Sequence, residues 1–132
     1  GVPVLGANLP RSEMRGAMDD GSLDRLLPGP AVKAQQQAIR QGHCDMLPEH
    51  QVRPMTRIQI ARDRTMAQTL ADAAARGKTV VLIAGAGHVQ PDVGVPLHLP
   101  QALRVRPLVL PPEATGKDYC ADLRRQMERK PA

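Results

Sequence analysis

Three short apolar runs punctuate the chain, at residues 2–8, 78–84 and 102–112. The run at 78–84 is rich in β-branched residues and apolar at successive positions, and the run at 102–112 is similar. Continuous apolar runs of this length are typical of strands that are covered on both faces, usually in a parallel sheet. The pattern therefore predicts three buried strands.

Segments with helical spacing separate these runs. The clearest helix is predicted over Met55–Arg76, with Gly77 ending it as a residue suited to a left-handed cap. Residues 43–54 are predicted to be irregular because Pro48 and Pro54 interrupt them. Shorter helices are expected after Pro10, around Leu23–Leu27, over 31–41 before Gly42, and over the last sixteen residues, where Tyr119, Leu123 and Met127 share one face.

The alternation of strand and helix predicts an α/β fold, a layered and mostly parallel sheet with flanking helices. Residues 1–132 are interpreted as a single domain. Three strands are few for a sheet that is covered on both faces. We therefore expect a partial domain, completed either by a preceding half of the protein or by a second copy of the chain.

Composition narrows the classes of function. The chain has no Trp, no Phe and one Tyr, so aliphatic residues must form the core. The net charge is +5, but Lys and Arg are scattered among Asp and Glu, and aromatic stacking platforms are missing, which argues against nucleic-acid binding. No apolar run approaches the ~18 residues that a membrane-spanning helix needs. Cys44 and Cys120 are predicted either to form one long-range disulfide or to remain two buried thiols.

His88 is the first candidate functional residue. It follows Gly85-Ala86-Gly87 directly after a predicted strand, and ligand sites of α/β sheets lie at the carboxyl ends of strands. A phosphate-binding loop is excluded, because no Lys-Ser/Thr follows the glycines and Pro91, Gly94 and Pro96 oppose a helix there. His88 is then a metal ligand, a hydrogen-bond donor or a general base. The alternative is a loop histidine bonded to a neighbouring carbonyl.

Arg62 is the second candidate. It is predicted to project from the middle of an apolar helix face, with Asp63 beside it. A guanidinium at such a position snorkels, pairs with a carboxylate or lines an anion site. The apolar face is predicted to contain Met55, Ile58, Met66, Leu70 and Ala73.

Three further candidates depend on weaker patterns. His43 lies in "GHCDM" and either contacts a ligand or caps the preceding helix. Tyr119 is the single phenol and is interpreted either as a haem-iron ligand or as a core residue with its hydroxyl at the rim. Arg11 follows the first predicted strand, so we expect it at the same sheet edge as His88, where it would anchor an anion.

Four blocks, "VPVLGANLPR", "GHCDMLPE", "MTRIQIARDRTMAQTL" and "VVLIAGAGHVQPDVGVPLHL", resemble the ChaN-like haem-binding lipoproteins of the Tiki and erythromycin-esterase-like superfamily. The resemblance runs from about residue 2 to residue 112. His88 matches the family's glycine–histidine motif, Arg62 and Asp63 match its Arg-Asp pair, and His43 matches its "GHC" block. The family's first half and its lipobox are not found here, so the chain resembles the carboxy-terminal part.

The resemblance implies a haem-binding protein of the bacterial cell envelope, in the periplasm or as an outer-membrane lipoprotein, that takes part in haem and iron acquisition. It implies haem as cofactor, a homodimer, and membrane contact only through an upstream lipid anchor. His88, Arg62, His43, Tyr119 and Arg11 are the expected haem-binding residues, with His88 and Tyr119 as candidate iron ligands. The alternatives are a hydrolase of the same superfamily, with His88 as base or metal ligand, and an inactive dimerising fragment. Binding is favoured over catalysis.

Overall fold

The computed structural model describes residues 1–129, and within them the regular structure is entirely helical. The predicted α/β sheet is therefore wrong. Residues 130–132, the end of the predicted C-terminal helix, lie outside the described part. The helices are α1 (Arg11–Asp19), α2 (Gly29–Gly42), α3 (Glu49–Ala74), α4 (Ala86–Val89) and α5 (Tyr119–Glu128), with 3₁₀ turns at Gly21–Arg25 and Val95–His98.

The long helix α3 organises the molecule, because α1, α2 and both 3₁₀ turns pack against it. It begins six residues before the predicted start at Met55 and continues through Pro54, so the irregular segment expected up to residue 54 is shorter than predicted. Pro54 lies in the second turn, where it removes one hydrogen bond of the helix. The apolar partners on α1 and α2 outweigh that loss.

The main core lies between α1, the first 3₁₀ turn, α2 and the middle of α3. Its members are small and aliphatic, as a chain without Trp or Phe requires: Leu9, Ala17, Leu23, Leu27, Ala31, Ile60 and Ala61. The buried face of α3 differs from the predicted stripe, since Ile60 is buried and Ile58 is half-buried. Met66 is buried as expected, in a second cluster with Ala67 and Val95.

An ion pair secures the first 3₁₀ turn to α3. The Arg57 guanidinium donates to both carboxylate oxygens of Asp24, at 2.8 and 2.7 Å, and to the carbonyl of Met18 at 2.9 Å. The hydrogen bond from Arg57 holds the pKa of the Asp24 carboxyl below its usual value. The turn is therefore fixed by a bidentate contact in addition to the buried Leu23.

The three predicted strands are extended segments that do not pair with one another. Residues 2–8, 78–84 and 102–112 contain no strand, and the one backbone hydrogen bond that their main-chain groups make within residues 1–129 runs from the Leu103 N–H to the Pro100 carbonyl, at 3.1 Å. A strand exists only where a second strand accepts and donates its ladder of hydrogen bonds. The apolar runs have the side chains of buried strands. However, no segment of residues 1–129 forms a ladder of hydrogen bonds with their main-chain N–H and C=O groups.

A disulfide joins the turn after α2 to helix α5. Cys44 and Cys120 are bonded, with their Cα atoms 5.7 Å apart, so the disulfide alternative of the sequence is the correct one. Cys44 lies in the tight turn after α2, whereas Cys120 is in α5, a helix without a buried residue. The covalent bond thus attaches α5 to the helical body.

Among residues 1–129, none of the helices is both long and apolar enough to cross a membrane.

Candidate functional site

His88 lies in α4, a single helical turn that follows the extended run 80–84. Its backbone N–H donates to the carbonyl of Gly85 at 2.9 Å, which begins the turn. The sequence analysis expected no helix after the glycines. That expectation is wrong, because Ala86–Val89 form one helical turn. The consequence is that the imidazole faces α3, where it is 93% buried, with 7% of the residue exposed.

Asp63 holds the His88 imidazole. Its Oδ1 lies 2.5 Å from His88 Nδ1, and Asp63 is completely buried. An ionised carboxylate can only accept hydrogen bonds, so Nδ1 carries the proton and Nε2 presents its lone pair. Within residues 1–129, His88 Nε2 forms no hydrogen bond, and the side chain keeps 10% of its surface exposed. The site therefore consists of a carboxylate-anchored imidazole whose second nitrogen has no partner in the described chain.

Two glutamines lie next to this pair. Gln59 Nε2, one turn before Asp63 on α3, is 3.1 Å from His88 Nδ1, but both nitrogens carry protons when Nδ1 donates to Asp63, so this is a contact and not a hydrogen bond. Gln35 on α2 donates to Asp63 Oδ2 at 3.1 Å and to the carbonyl of Val93 at 2.8 Å. Asp63 therefore accepts from one side chain at each oxygen, as a buried carboxylate requires.

The sequence analysis did not identify Gln35 as a functional residue. The available signal was its position one turn after Ala31 on the apolar face of α2, where a polar residue needs a specific partner. Asp63 was noted only as a neighbour of Arg62. Its pairing with His88, 25 residues later, depends on how α4 docks against α3.

Gly94 sets the distance between α4 and the following 3₁₀ turn. A Cβ at Gly94 would lie 2.2 Å from the carbonyl oxygen of His88 and 3.1 Å from that of Gly87. Both are main-chain atoms, so a side chain at this position must displace α4. Gly94 therefore positions His88 through backbone contact, without touching the imidazole.

Arg62 lies next to Asp63 on α3 but is not part of the buried network. Its Nε donates to Oδ1 of Asn8 at 3.0 Å, and the side chain is half-buried. This bond connects the extended segment 2–8 to α3 near the His88 site. The guanidinium Nη groups make no hydrogen bond within residues 1–129 and are thus available to an anion.

The structure does not bring the other three predicted residues to His88. His43 Nδ1 is 2.7 Å from the carbonyl of Ile39, which is the helix-capping alternative of the sequence. Tyr119 is 63% exposed at the start of α5, with its hydroxyl 3.3 Å from Thr115 Oγ1. Arg11 is exposed at the first position of α1. Their roles in ligand binding remain predictions.

His98 is a second histidine that faces α3. Its Nε2 is buried and has no hydrogen-bond partner among the described residues. Burial lowers the pKa of the His98 imidazole, with Arg64 acting in the same direction and the Asp63 carboxylate opposing it. His98 is thus maintained in its neutral form by desolvation.

An apolar cleft of about 700 Å³ lies beside the His88 site. Two extended segments, residues 78–84 and 103–108, line it together with Ala86 and Val89 of α4. The cleft's lining includes Lys78, Arg104 and Arg106 but no acidic residue. None of the five predicted site residues lines this cleft, so the cleft and the imidazole are neighbouring but distinct features.

Within residues 1–129, no group of three or more His, Cys, Asp and Glu side chains is arranged to hold a bare metal ion. The site therefore contains a single imidazole whose Nδ1 is anchored by a carboxylate, an arrangement that is common for metal-ligating histidines in general.

Comparison with known families identifies the family of this chain. The chain belongs to the family described as "Haem-binding uptake, Tiki superfamily, ChaN", whose model matches residues 1–99. The resemblance inferred from the sequence is thereby confirmed. The match contains Asp63 and His88 and ends before Tyr119. Comparisons with curated proteins and with solved structures gave no match.

Proposed function

We propose that this protein binds haem and that His88 Nε2 is the iron ligand. The supporting observation is the Asp63–His88 pair, in which the buried carboxylate fixes the tautomer and the ring orientation. A proximal histidine is one of the donors that hold haem iron in proteins, and hydrogen bonding of its other nitrogen tunes that donor. The residues present therefore fit the cofactor that the family name implies.

Each neighbouring residue has a separate role in this proposal. Asp63 orients the imidazole, and Gln35 holds Asp63. Arg62 offers its free Nη groups to a haem propionate, because a guanidinium pairs with a carboxylate through two hydrogen bonds. Arg11 is a second candidate for a propionate. Bound haem would supply the redox-active iron and the planar apolar surface.

Titration with haemin tests the proposal. We expect a Soret shift at micromolar protein for the folded wild type and at least a tenfold weaker affinity for His88→Ala. Asp63→Asn should retain binding with an altered Soret spectrum, because Asn keeps the shape but not the charge. His50→Ala is the matched control, since His50 is exposed on α3 away from the network. A folded wild-type protein without a Soret shift would end the proposal.

Hydrolysis is the second candidate function, favoured by the same carboxylate–imidazole pair. A general base needs a partner that orients it, and Asp63 provides one within this chain. Here His88 would accept a proton from an attacking water molecule. Turnover of a chromogenic ester that disappears in both His88→Ala and Asp63→Ala, without any haem-dependent spectrum, would favour hydrolysis over haem binding.

The place of action in this proposal is the bacterial cell envelope, where a haem-uptake protein meets its ligand. Support comes from the family description, which names haem uptake. The homodimer predicted from the sequence is part of the same proposal and is checked by the molecular mass in solution.

A further inference from the structure

Helix α5 is attached to the helical body mainly through one covalent bond. It has no buried residue, and none of the main packing contacts between elements of residues 1–129 involves it. Its hydrogen bonds within the described chain are local and join residues 115–129 to one another, as when the Ala121 N–H donates to the Asp118 side chain at 2.9 Å. The Cys44–Cys120 disulfide is therefore the connection that holds α5 in place.

The two bonded cysteines differ in their access to solvent. Cys120 is exposed at the second position of α5, whereas Cys44 is half-buried in the tight turn after α2. Thiol–disulfide exchange begins when a thiolate attacks one sulfur of the bond, so access helps to decide which sulfur is attacked. Exposed disulfides are also more labile than the structural ones that resist reduction. An external thiol therefore reaches the Cys120 sulfur first.

The turn that carries Cys44 is held by main-chain hydrogen bonds as well as by the disulfide. Cys44 and Asp45 have left-handed backbone conformations, with φ of 55° and 56°. Their N–H groups donate to the carbonyls of Gln41 and Arg40, each at 2.9 Å, and so satisfy the end of α2. These bonds remain when the sulfur–sulfur bond opens. The Cys44 thiol thus stays in position to bond Cys120 again.

The helical body is also independent of the disulfide. The described members of both core clusters, and the side chains packed against them, lie between residues 7 and 99. The Asp63–His88 pair lies in the same range. Regions with few buried contacts open separately from a packed core. Opening the disulfide therefore frees α5 while α1, α2 and α3 stay packed, so the oxidised and reduced chains are two folded states.

We propose that the Cys44–Cys120 bond is a reversible tether of α5 and that an external dithiol opens it at Cys120 Sγ. A thiolate of the dithiol forms a bond to Cys120 Sγ as the Cys44–Cys120 bond breaks, and Cys44 leaves as a thiolate that takes up a proton. The second thiol of the dithiol then loses its proton and attacks the dithiol's own sulfur in the mixed disulfide. Cys120 leaves as a thiolate and is protonated in turn.

The exchange is balanced between the protein and its reductant. The protein gains two electrons and two protons, and the dithiol loses both and becomes a cyclic disulfide. The modified site is Cys120, and the element that moves is α5. The proposal does not rest on the proposed haem site, because α5 makes no hydrogen bond to Asp63 or His88 within the described residues.

The fluorescence anisotropy of Tyr119 tests the release of α5. Tyr119 is the single Tyr of a chain without Trp, and it lies next to Cys120, so its emission reports on α5. We expect dithiothreitol to lower the anisotropy of the full chain about twofold, because a short helix without packing partners frays. A colorimetric thiol assay should detect both cysteines as free thiols, and far-UV circular dichroism should retain the signal of α1–α3.

Cys44→Ser combined with Cys120→Ser is the matched control. Its Tyr119 anisotropy should be low from the start and should not respond to dithiothreitol. Removal of the reductant and mild oxidation should restore the anisotropy of the wild type, which the control cannot do.

Reduced glutathione locates the sulfur that is attacked. A monothiol leaves a mixed disulfide on one cysteine, and alkylation of the other, newly freed thiol traps it. We expect glutathione on Cys120 and the alkyl group on Cys44, in about tenfold excess over the reverse arrangement. Mass spectrometry of the tryptic peptides 118–124 and 41–57 distinguishes the two.

Four results would overturn the proposal. Unchanged anisotropy in a fully reduced sample would mean that other contacts hold α5. Loss of the helical signal of α1–α3 would make the disulfide a requirement of the whole fold. Glutathione found chiefly on Cys44 would refute the assignment of the attacked sulfur. The absence of free thiols after treatment with dithiothreitol in the native state would show that the bond is closed to exchange.

Discussion

The two halves of the described chain differ in how much apolar surface they bury: residues 9–74 bury most of it, and residues 76–129 leave much of it exposed. The first region packs α1, α2 and α3 around a closed aliphatic core, whereas the second leaves Val81, Ile83 and Leu108 largely exposed. A helix satisfies its own backbone, so three helices need only matching apolar faces. An extended segment needs a partner for its backbone as well. Within residues 1–129, the second region therefore keeps unpaired main-chain groups beside exposed apolar side chains.

The two regions meet at the Asp63–His88 pair, and this contact gives the largest predicted effect. Asp63→Ala leaves the His88 and Gln35 donors buried without their acceptor, and we expect about 3–5 kcal/mol loss of unfolding free energy. Urea denaturation measures it. Asp72→Ala, at an exposed position on the same helix, should cost less than about 0.5 kcal/mol. Similar losses for the two variants would contradict the burial of the pair.

A matched pair of isoleucines tests the contrast between the regions directly. Ile60 is 1% exposed in the helical core and Ile83 is 93% exposed beside the cleft. Ile60→Ala should cost about 3 kcal/mol, and Ile83→Ala should cost less than about 0.5 kcal/mol. Thermal or urea unfolding measures the loss of unfolding free energy in each variant. Equal losses would mean that Ile83 is covered in solution by the chain itself or by another copy.

The disulfide is the covalent connection between the regions, and its removal should have an intermediate effect. Reduction, or Cys44→Ser with Cys120→Ser, opens a loop with a sequence separation of 76 residues. The expected cost is about 2–4 kcal/mol, chiefly through the unfolded state. Far-UV circular dichroism should nevertheless show α1–α3 intact, because none of the described residues beyond Leu99 contributes to either core cluster. Loss of all helix on reduction would contradict this.

The smallest effect concerns pH. Burial lowers the pKa of His98 in the folded protein, while in the unfolded chain the imidazole titrates near its ordinary value of 6.5. The unfolded state therefore binds the proton first, and stability is lost as the pH falls through 6.5 towards the folded pKa. The difference in melting temperature between pH 7.5 and pH 5.5 should be smaller for His98→Gln than for the wild type. An unchanged difference would remove His98 as the cause.

Much of the helical region could be predicted from the sequence. Hydrophobic periodicity and the glycine and proline residues at helix ends act within a few residues of the chain. They predict α3 with its end near Gly77, the helix before Gly42 and the helix start after Pro10. The beginning of α3 was misplaced because Pro54 normally opposes a helix, and packing of α1 and α2 against it overcame that preference. The predicted apolar face of α3 was also partly wrong, because elements pack against more than one side of this helix.

The candidate site was predictable only in part. His88 and Arg62 were identified from a glycine-flanked imidazole and a cation among apolar residues. The pairing of His88 with Asp63, of Asp63 with Gln35 and of Arg62 with Asn8 was not predicted. These contacts span 25 to 54 residues of sequence, and hydrogen-bond partners at such separations have no local signature. The apolar cleft was missed altogether, because it arises only when the expected strands fail to pair.

The sequence by itself determined the helices, the extended apolar runs and the family, since each depends on local residue order. The tertiary structure decided that Asp63 faces His88, that Cys44 bonds Cys120, and that the extended runs form no sheet. The physical reason is the same in each case. Helix formation is settled by neighbours along the chain, whereas a buried hydrogen-bonded pair, a disulfide or a strand requires a second group that only folding can bring near.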